Sequence, residues 1–162
     1  MDIVITYVDG NDPVWKKDYE KTTNVPVMEK RFRDWGTLKY LLRGIETKMP
    51  FIRNVYLVVS HPSQVPQWVN QENLKVVLHK DIIPEEFLPT FNCNPIEMNL
   101  HRISGLDEEY LYFNDDIFPV GECRPEDYFR NGFQLNLIIF RFLISDAQNA
   151  FDLKVGIAFA IA

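Results

Sequence analysis

The chain has 162 residues, of which 46% are hydrophobic and 25% charged, a balance typical of one globular domain rather than of a disordered chain. Its formal net charge of −6 and its pI near 5.1 argue against nucleic acid as a partner, because phosphate backbones are bound by basic surfaces. An acidic chain can still bind a phosphorylated ligand when a divalent cation lies between them.

The two cysteines, Cys93 and Cys123, lie in no CxxC pattern and have no paired histidine. We expect both to be buried free thiols in a reducing compartment rather than a disulfide or a zinc site. The sequence begins directly with "MDIVITYV", without a basic region or cleavage site, and no apolar run reaches the length of a membrane span. These features predict a cytoplasmic protein, which a partner could hold at the inner face of the membrane.

The first half of the chain predicts a strand followed by a helix. Residues 3–8 alternate β-branched and aromatic side chains and then meet the turn-forming "DGNDP", so this strand would deliver Asp9 to a loop. A stripe of apolar residues at helical spacing then predicts a helix that Pro50 ends. The residues of this stripe are Leu38, Leu41, Leu42, Ile45 and Met49.

Further elements follow in alternation. Residues 54–60 and 74–80 predict a second and a third strand, with a short helix between them that begins at Pro66. Asn94 as the N-cap and Pro95 at the first helical position predict a short helix that runs to about Arg102. Residues 110–114, "YLYFN", predict the fourth strand.

This alternation favours an α/β fold, Rossmann-like, with a mostly parallel sheet and flanking helices. We expect the first and fourth strands to end side by side. After Asn131 the segments "FQLNLIIFRFLIS" and "VGIAFAIA" are apolar and poorly patterned. The prediction is therefore a core over residues 1–130 and an irregular apolar segment over residues 131–162 of the same domain, in a chain truncated at its C-terminus.

Acidic residues follow two of the predicted strands, Asp9 after the first and Asp115 and Asp116 after the fourth. In an open α/β sheet, ligands bind beyond the carboxyl ends of the strands. Three converging carboxylates without His or Cys ligands suit Mg²⁺ or Mn²⁺, an arrangement that commonly holds a nucleotide diphosphate. The alternative is that Asp115 and Asp116 are ordinary turn residues at the end of a strand.

Three basic residues are further candidates. His101 and Arg102 together could supply a general base and a positive charge for an anion, although a single histidine is more often structural. Arg43 lies on the first predicted helix, adjacent to its apolar stripe, where most arginines are only solvated.

Several segments, in this order, resemble the Stealth proteins. They are "DIVITYVDGNDPVW", "LKYLLRGIETKMPFIRNVYLVV", "QVPQWVN", "HKDIIP" and "LPTFNCNPIEMNLHRISGLDEEYLYFNDDIF". Stealth proteins are bacterial capsular polysaccharide phosphotransferases, and their eukaryotic relatives make the mannose-6-phosphate tag as N-acetylglucosamine-1-phosphotransferases. The resemblance runs from Asp2 to about Phe129 and covers the family's first and second conserved regions.

The resemblance implies a fold like that of the nucleotide-diphospho-sugar transferases and a sugar-phosphate transferase activity. A sugar-1-phosphate would pass from a nucleotide-sugar donor to a hydroxyl of a glycan acceptor in capsular or exopolysaccharide synthesis, near membrane-bound capsule machinery. The motif matches imply catalytic roles for Arg43, His101, Arg102 and Asp115, substrate binding by Asp9, Gly10, Glu97 and Asn114, and Mg²⁺ or Mn²⁺ binding by Asp115 and Asp116.

The sequence also departs from the family pattern. Cys93 stands where serine is usual, "SHPSQVP" replaces a more typical Asp-Gly before "QVP", and a third or fourth conserved region does not follow. One alternative is therefore a truncated, non-catalytic protein that binds a nucleotide-sugar or a partner and self-associates through its apolar C-terminus. Another is a metal-dependent glycosyltransferase, which would break the sugar–oxygen bond instead.

Overall fold

A computed structural model describes residues 1–130 and 133–134, which form an α/β fold around a parallel sheet. Its four strands are β1 (Asp2–Thr6), β2 (Val55–Val59), β3 (Leu74–Leu78) and β4 (Tyr110–Asn114). The strand order is β3-β2-β1-β4, so β1 and β4 are neighbours although most of the described chain separates them. Asp2 pairs with Tyr110 and Thr6 with Asn114, which confirms that these two strands end side by side.

The helices and short elements occupy the connections. The α-helices are α1 (Pro13–Thr23), α2 (Leu38–Lys48), α3 (His79–Ile82) and α4 (Cys93–Met98). Single 3₁₀ turns lie at Pro62–Gln64, Glu85–Phe87, Leu100–Arg102 and Pro125–Asp127. A short antiparallel pair, β5 (Phe129–Arg130) and β6 (Phe133–Gln134), follows β4.

Helix α2 covers one face of the sheet, which we call the α2 face. Its predicted stripe is confirmed, because four of the five residues are fully buried and the fifth, Leu42, is partly buried. They pack against alternate residues of the strands, and burying each large aliphatic side chain contributes roughly 1.5–3 kcal/mol. The strand residues on this face include Ile3, Ile5, Leu57, Val59, Leu111 and Phe113.

The opposite face, which we call the α4 face, is covered by α3, α4 and the 3₁₀ turn after α4. Strand residues on this face include Val4, Tyr56, Val58, Tyr110 and Tyr112, and they pack against Ile82, Ile83, Leu100 and Ile103. Because both faces are covered, the strands are apolar almost throughout rather than alternating, as in other buried parallel sheets.

The structure corrects several local predictions. Residues 66–70 form a turn rather than a helix, closed by a bond from the Val69 amide to the Pro66 carbonyl oxygen of 3.0 Å. The cap of α4 is Asn92 rather than Asn94, since the Asn92 side chain accepts a hydrogen bond from the backbone two residues later. That helix ends at Met98, and a separate 3₁₀ turn carries the chain on to Arg102.

Helix α1 was not predicted, although its sequence carries a helix-start signal. The Asp12 side chain accepts a 2.7 Å hydrogen bond from the Trp15 amide, and Pro13 takes the first helical position. Trp15 and Tyr19 of α1 then pack edge-on against Phe32 and Phe91. The charged residues of this helix hide its pattern, because only two of its side chains are buried.

The remaining predictions on composition have mixed outcomes. Both cysteines are free thiols, but the prediction of burial is wrong for Cys93, which is exposed at the start of α4, while Cys123 is partly buried. Within residues 1–130 and 133–134, no helix is long and apolar enough to cross a membrane. The irregular apolar segment, its boundary and its role in self-association lie outside the described residues apart from β6.

Candidate active site

The charges of three carboxylates act on Tyr7, which lies immediately after β1 and beside the end of β4. The Tyr7 hydroxyl donates a hydrogen bond of 3.1 Å to Asp34 Oδ2. Burial raises the pKa of the Tyr7 phenol, and the negative charges of Asp34, Asp9 and Asp115 raise it further. Carboxylates from three separate segments therefore act on one buried phenol at the carboxyl edge of the sheet.

Asp115 is the carboxylate with the most perturbed titration. Burial raises its pKa to about 6, and the neighbouring charges of Asp116 and Asp34 add to this effect, although a backbone hydrogen bond opposes it. Its ionised form is therefore disfavoured unless positive charge approaches. A perturbed carboxyl group in this position is typical of functional sites.

The Asp9 loop is held in place by its backbone. The Asp9 amide donates to Gln64 Oε1 at 2.8 Å, and Gln64 Nε2 donates to the Asp9 carbonyl oxygen at 3.2 Å. The Asn11 amide donates to Asp9 Oδ1 at 2.8 Å, which closes the turn. A Cβ atom on Gly10 would lie 2.1 Å from the Phe32 carbonyl oxygen, so only glycine fits there.

Glu97 and Asn114 meet at the hydroxyl group of Tyr112. This hydroxyl lies 2.9 Å from Asn114 Oδ1, 3.2 Å from Glu97 Oε1 and 2.9 Å from Thr6 Oγ1. Glu97 belongs to α4, Asn114 ends β4 and Thr6 ends β1. The structure thus brings two of the predicted substrate-binding residues together on the α4 face.

His101 and Arg102 lie on the 3₁₀ turn that follows α4, and both are exposed. The turn is fixed by fully buried Leu100, and Arg102 Nη1 lies 3.4 Å from Asn99 Oδ1. None of the described hydrogen bonds or ion pairs joins these two residues to Asp115. Their placement next to α4 and Glu97 leaves both side chains accessible to a ligand.

Arg43 lies elsewhere in the described structure. It is exposed on α2 and lines a groove of about 1030 Å³, together with residues such as Trp68, Asn73 and Leu74. Asn73 and Leu74 mark the beginning of β3, at the opposite edge of the sheet from the carboxylates. The described contacts therefore do not join Arg43 to Asp115, and its catalytic role stays a prediction.

Comparison with known families supports the resemblance found in the sequence. Residues 31–136 match the family model for Stealth protein CR2, conserved region 2, and this range holds more than half of the chain. The chain belongs to the Stealth protein family. The matched range includes Arg43, Glu97, His101 and the acidic motif after β4, whereas Asp9 and Gly10 precede it, so their assignment to a first conserved region stays a prediction.

Individual Stealth relatives carry phosphotransferase names. The chain is 44% identical over 138 residues to the capsular polysaccharide phosphotransferase WcwK of Streptococcus pneumoniae, and 42% identical over 138 residues to the receptor polysaccharide phosphotransferase WefC of Streptococcus oralis. Both alignments cover 80% of this chain but only 41% of the relative. The capsular polysaccharide phosphotransferase CpsJ of Streptococcus thermophilus is 39% identical over 153 residues, 89% of this chain and 63% of its own. The chain therefore spans about two fifths to three fifths of these relatives.

The acidic residues of this Stealth chain fit one kind of divalent-cation site and not another. Among residues 1–130 and 133–134, no three His, Cys, Asp or Glu side chains are grouped closely enough to form a complete metal site, so the predicted convergence of Asp9, Asp115 and Asp116 on one cation is wrong. Mg²⁺, however, is usually held by one or two carboxylates together with substrate phosphates and water. Asp115 and Asp116 are adjacent carboxylates that repel one another, so they fit this second kind of site.

Sequence reasoning missed four residues that shape the site: Tyr7, Asp34, Gln64 and Tyr112. Tyr7 and Tyr112 resemble ordinary strand residues, and Asp34 lies in an irregular loop. Gln64 is only 1% exposed, and its two bonds to the Asp9 backbone satisfy this buried side chain. Tyr7, Gln64 and Tyr112 lie in segments that resemble the family, but residue type alone gives them no role, because each acts through a partner that is distant in sequence.

Proposed function

We propose that this Stealth protein is a sugar-phosphate transferase of capsular or exopolysaccharide synthesis. The observation that carries the proposal is the position of Asp115, a carboxyl group with a raised pKa at the carboxyl edge where β1 and β4 end. Parallel α/β sheets bind ligands at this edge. The phosphotransferase names of its relatives support phosphate chemistry as the activity.

In the proposed reaction, a glycan hydroxyl attacks the phosphorus atom that carries the sugar of a nucleotide-sugar. A new phosphorus–oxygen bond forms to the acceptor, and the bond between that phosphorus and the bridging diphosphate oxygen breaks. The nucleoside monophosphate leaves with the bonding electrons, and the proton of the acceptor hydroxyl passes to a general base. The product is a phosphodiester between the sugar and the glycan.

Different residues at the carboxyl edge of the sheet would carry out the steps of this reaction. His101, exposed beside α4, would accept the proton, and Arg102 would offer positive charge to the phosphate. Asp9 and Gly10 would bind the nucleotide-sugar donor through their fixed loop. Glu97 and Asn114, which both contact the Tyr112 hydroxyl, would also bind this donor. Asp115 and Asp116 would hold Mg²⁺ or Mn²⁺, which when bound supplies positive charge for the phosphate oxygens.

Product analysis tests the proposal. The protein is incubated with Mn²⁺, a panel of UDP- and GDP-sugars and a capsule-type glycan, and released nucleotides are separated by chromatography. We expect nucleoside monophosphate. Release of nucleoside diphosphate would contradict phosphotransfer and identify a metal-dependent glycosyltransferase. Donor binding without turnover would instead support the non-catalytic alternative.

A matched pair of variants ties the activity to the site. Asp115→Asn removes the perturbed carboxylate, whereas Asp18→Asn removes an exposed carboxylate from α1. We expect turnover to fall at least about 100-fold in Asp115→Asn and to stay unchanged in Asp18→Asn, as for the loss of a group that stabilises transition-state charge. Equal turnover in both variants would remove Asp115 from the mechanism.

A further inference from the structure

We propose that Tyr112 is a positioning residue of this site, whose hydroxyl group sets the orientations of Glu97 and Asn114 toward the nucleotide-sugar donor. The inference rests on the proposed function and deepens it, because it assigns a role to a residue that does not itself face the ligand. It comes from the geometry of four side chains at the carboxyl edge of the sheet, on its α4 face.

Tyr112 is well placed to act through its neighbours. Its side chain is 3% exposed and its ring lies in the α4-face core, so the hydroxyl group is held rigidly by packing. That hydroxyl joins the ends of β1 and β4 to helix α4 through Thr6, Asn114 and Glu97. Side chains that meet at a rigid, buried group are restricted to few rotamers, as a preorganised site requires.

The proton positions follow from simple counting. A phenol has one proton to donate and also accepts hydrogen bonds, while the Glu97 carboxylate and Asn114 Oδ1 only accept. With three oxygen neighbours and one proton, the Tyr112 hydroxyl accepts from the Thr6 hydroxyl and shares its proton between Glu97 Oε1 and Asn114 Oδ1. Burial raises the pKa of this phenol, the bond from Thr6 opposes the rise, and the charge of Glu97 adds to it, so the hydroxyl stays protonated at neutral pH.

This bonding decides what the site offers to a ligand. With Oδ1 of Asn114 directed at the phenol, its Nδ2 group lies on the other side of the amide, on an exposed residue. An amide nitrogen in that position can donate to a phosphate or sugar oxygen. Without the Tyr112 hydroxyl, the Asn114 amide would lose the bond that selects its orientation, and Glu97 would lose its hydrogen-bond partner on β4.

Tyr56 provides a matched control on the same face of the sheet. It is 2% exposed, and its hydroxyl donates a 2.9 Å hydrogen bond to the Gly105 carbonyl oxygen, in the loop that precedes β4. Replacing either tyrosine by phenylalanine removes one hydroxyl group from a buried ring. Of the two hydroxyl groups, that of Tyr112 contacts residues at the carboxyl edge, so a purely structural role for it would leave donor affinity the same in the two variants.

The test compares wild type, Tyr112→Phe and Tyr56→Phe. Donor affinity is measured by calorimetric titration with UDP- and GDP-sugars in the presence of Mn²⁺, and stability is measured by thermal unfolding. We expect Tyr56→Phe to lose about 3 °C in melting temperature, as for one buried hydrogen bond, and Tyr112→Phe to lose more, because its hydroxyl group has three partners. Donor affinity should fall roughly tenfold in Tyr112→Phe alone, because misdirected groups bind poorly. Adding Glu97→Gln to Tyr112→Phe should weaken binding by less than the product of the two single effects.

The outcomes separate this inference from the proposed function. If the wild-type protein binds no nucleotide-sugar, the proposed function and the role of Tyr112 are both overturned. If the wild type binds a donor and Tyr112→Phe binds it as tightly as Tyr56→Phe does, only the positioning role is overturned. Should Tyr112→Phe fold poorly, a second pair of variants, Glu97→Gln and Thr6→Val, decides the point, since each removes one partner of the Tyr112 hydroxyl. If their effects on donor affinity simply add in the double variant, the two residues do not act through one hydroxyl group, and the positioning role is overturned.

Discussion

The two edges of the parallel sheet both carry aspartates, but the partners of these aspartates differ in charge. At the amino edge, Asp2 is fully buried and accepts hydrogen bonds from Arg53 Nε at 3.1 Å, Arg53 Nη2 at 2.9 Å, Asn54 Nδ2 at 3.0 Å and the Asp107 amide at 3.0 Å. At the carboxyl edge, the charged groups that act on Asp115 are two other carboxylates, Asp116 and Asp34.

The pKa values follow the same division. Burial alone would raise the pKa of Asp2, but the hydrogen bonds from Arg53 and Asn54 outweigh it and hold this pKa below the ordinary 3.8. Burial raises the pKa of Asp115 to about 6, and like charges reinforce the shift. One edge thus satisfies its carboxylate and stabilises the fold, whereas the other leaves a carboxylate in need of positive charge. Unsatisfied charge of this kind is characteristic of a binding site.

The largest expected effect is at the amino edge. Asp2→Ala should destabilise the protein by about 3 kcal/mol, because it leaves the Asp107 amide and the Asn54 side chain without their acceptor and opens a space at a buried position. The measurement is the free energy of unfolding from urea titration. Asp9→Ala is the control at the other edge, and a loss for Asp2→Ala no greater than in this control would refute the contrast.

A change of pH should affect the stability contributions of Asp2 and Asp115 in opposite directions. A lowered native pKa gives stability that is present at neutral pH and lost as the pH falls below about 4, so Asp2 stabilises the fold across pH 5–7. The native pKa of Asp115 is raised instead, so its stabilising contribution is present at low pH and is lost as the pH rises through about 6. Because solvent screens this partly exposed group, we expect the ionisation of Asp115 to lower the free energy of unfolding by only about 1 kcal/mol between pH 5 and pH 7.

His79 complicates the raw measurement, since burial lowers its pKa to about 4 and its protonation in the unfolded state destabilises the fold as the pH falls. The quantity to measure is therefore the difference between wild type and Asp115→Asn in unfolding free energy at pH 7 and at pH 5. Asp115→Asn should be the more stable protein at pH 7, and its advantage should shrink at pH 5. A pH-independent difference would show that Asp115 titrates normally.

The smallest change in stability is expected for Asp116→Asn. Removing this charge relieves repulsion with Asp115, so stability should change by less than about 0.5 kcal/mol or rise slightly. Thermal unfolding followed during Mn²⁺ titration should show a rise in melting temperature in the wild type but not in the variant. A destabilised variant, with no Mn²⁺ response in either protein, would instead identify Asp115 and Asp116 as turn residues.

Local patterns predicted much of the sheet, helix α2 and the short helix α4. Strand β4 has the bounds that its aromatic run predicts, and α2 follows the spacing from Leu38 to Met49. These elements are predictable because burial imposes a period that nearby residues show directly. Helix α1 was not predicted, although Asp12 and Pro13 mark its start, and the helix predicted at Pro66 is a turn. Both predictions failed because the structure of short polar segments depends on tertiary packing.

By itself, the sequence determined the family, the fold class and the acidic motif after β4, since each depends on neighbouring residues or on ordered motifs. Only the tertiary structure decided which of those residues meet. It brought Asn114 and Glu97 to one hydroxyl group on Tyr112, exposed Tyr7 to the charges of carboxylates from three segments and placed Arg43 in a groove at the other edge of the sheet. The physical reason is distance along the chain: the bond between Thr6 and Tyr112 spans more than a hundred residues, and its geometry exists only once β1 pairs with β4.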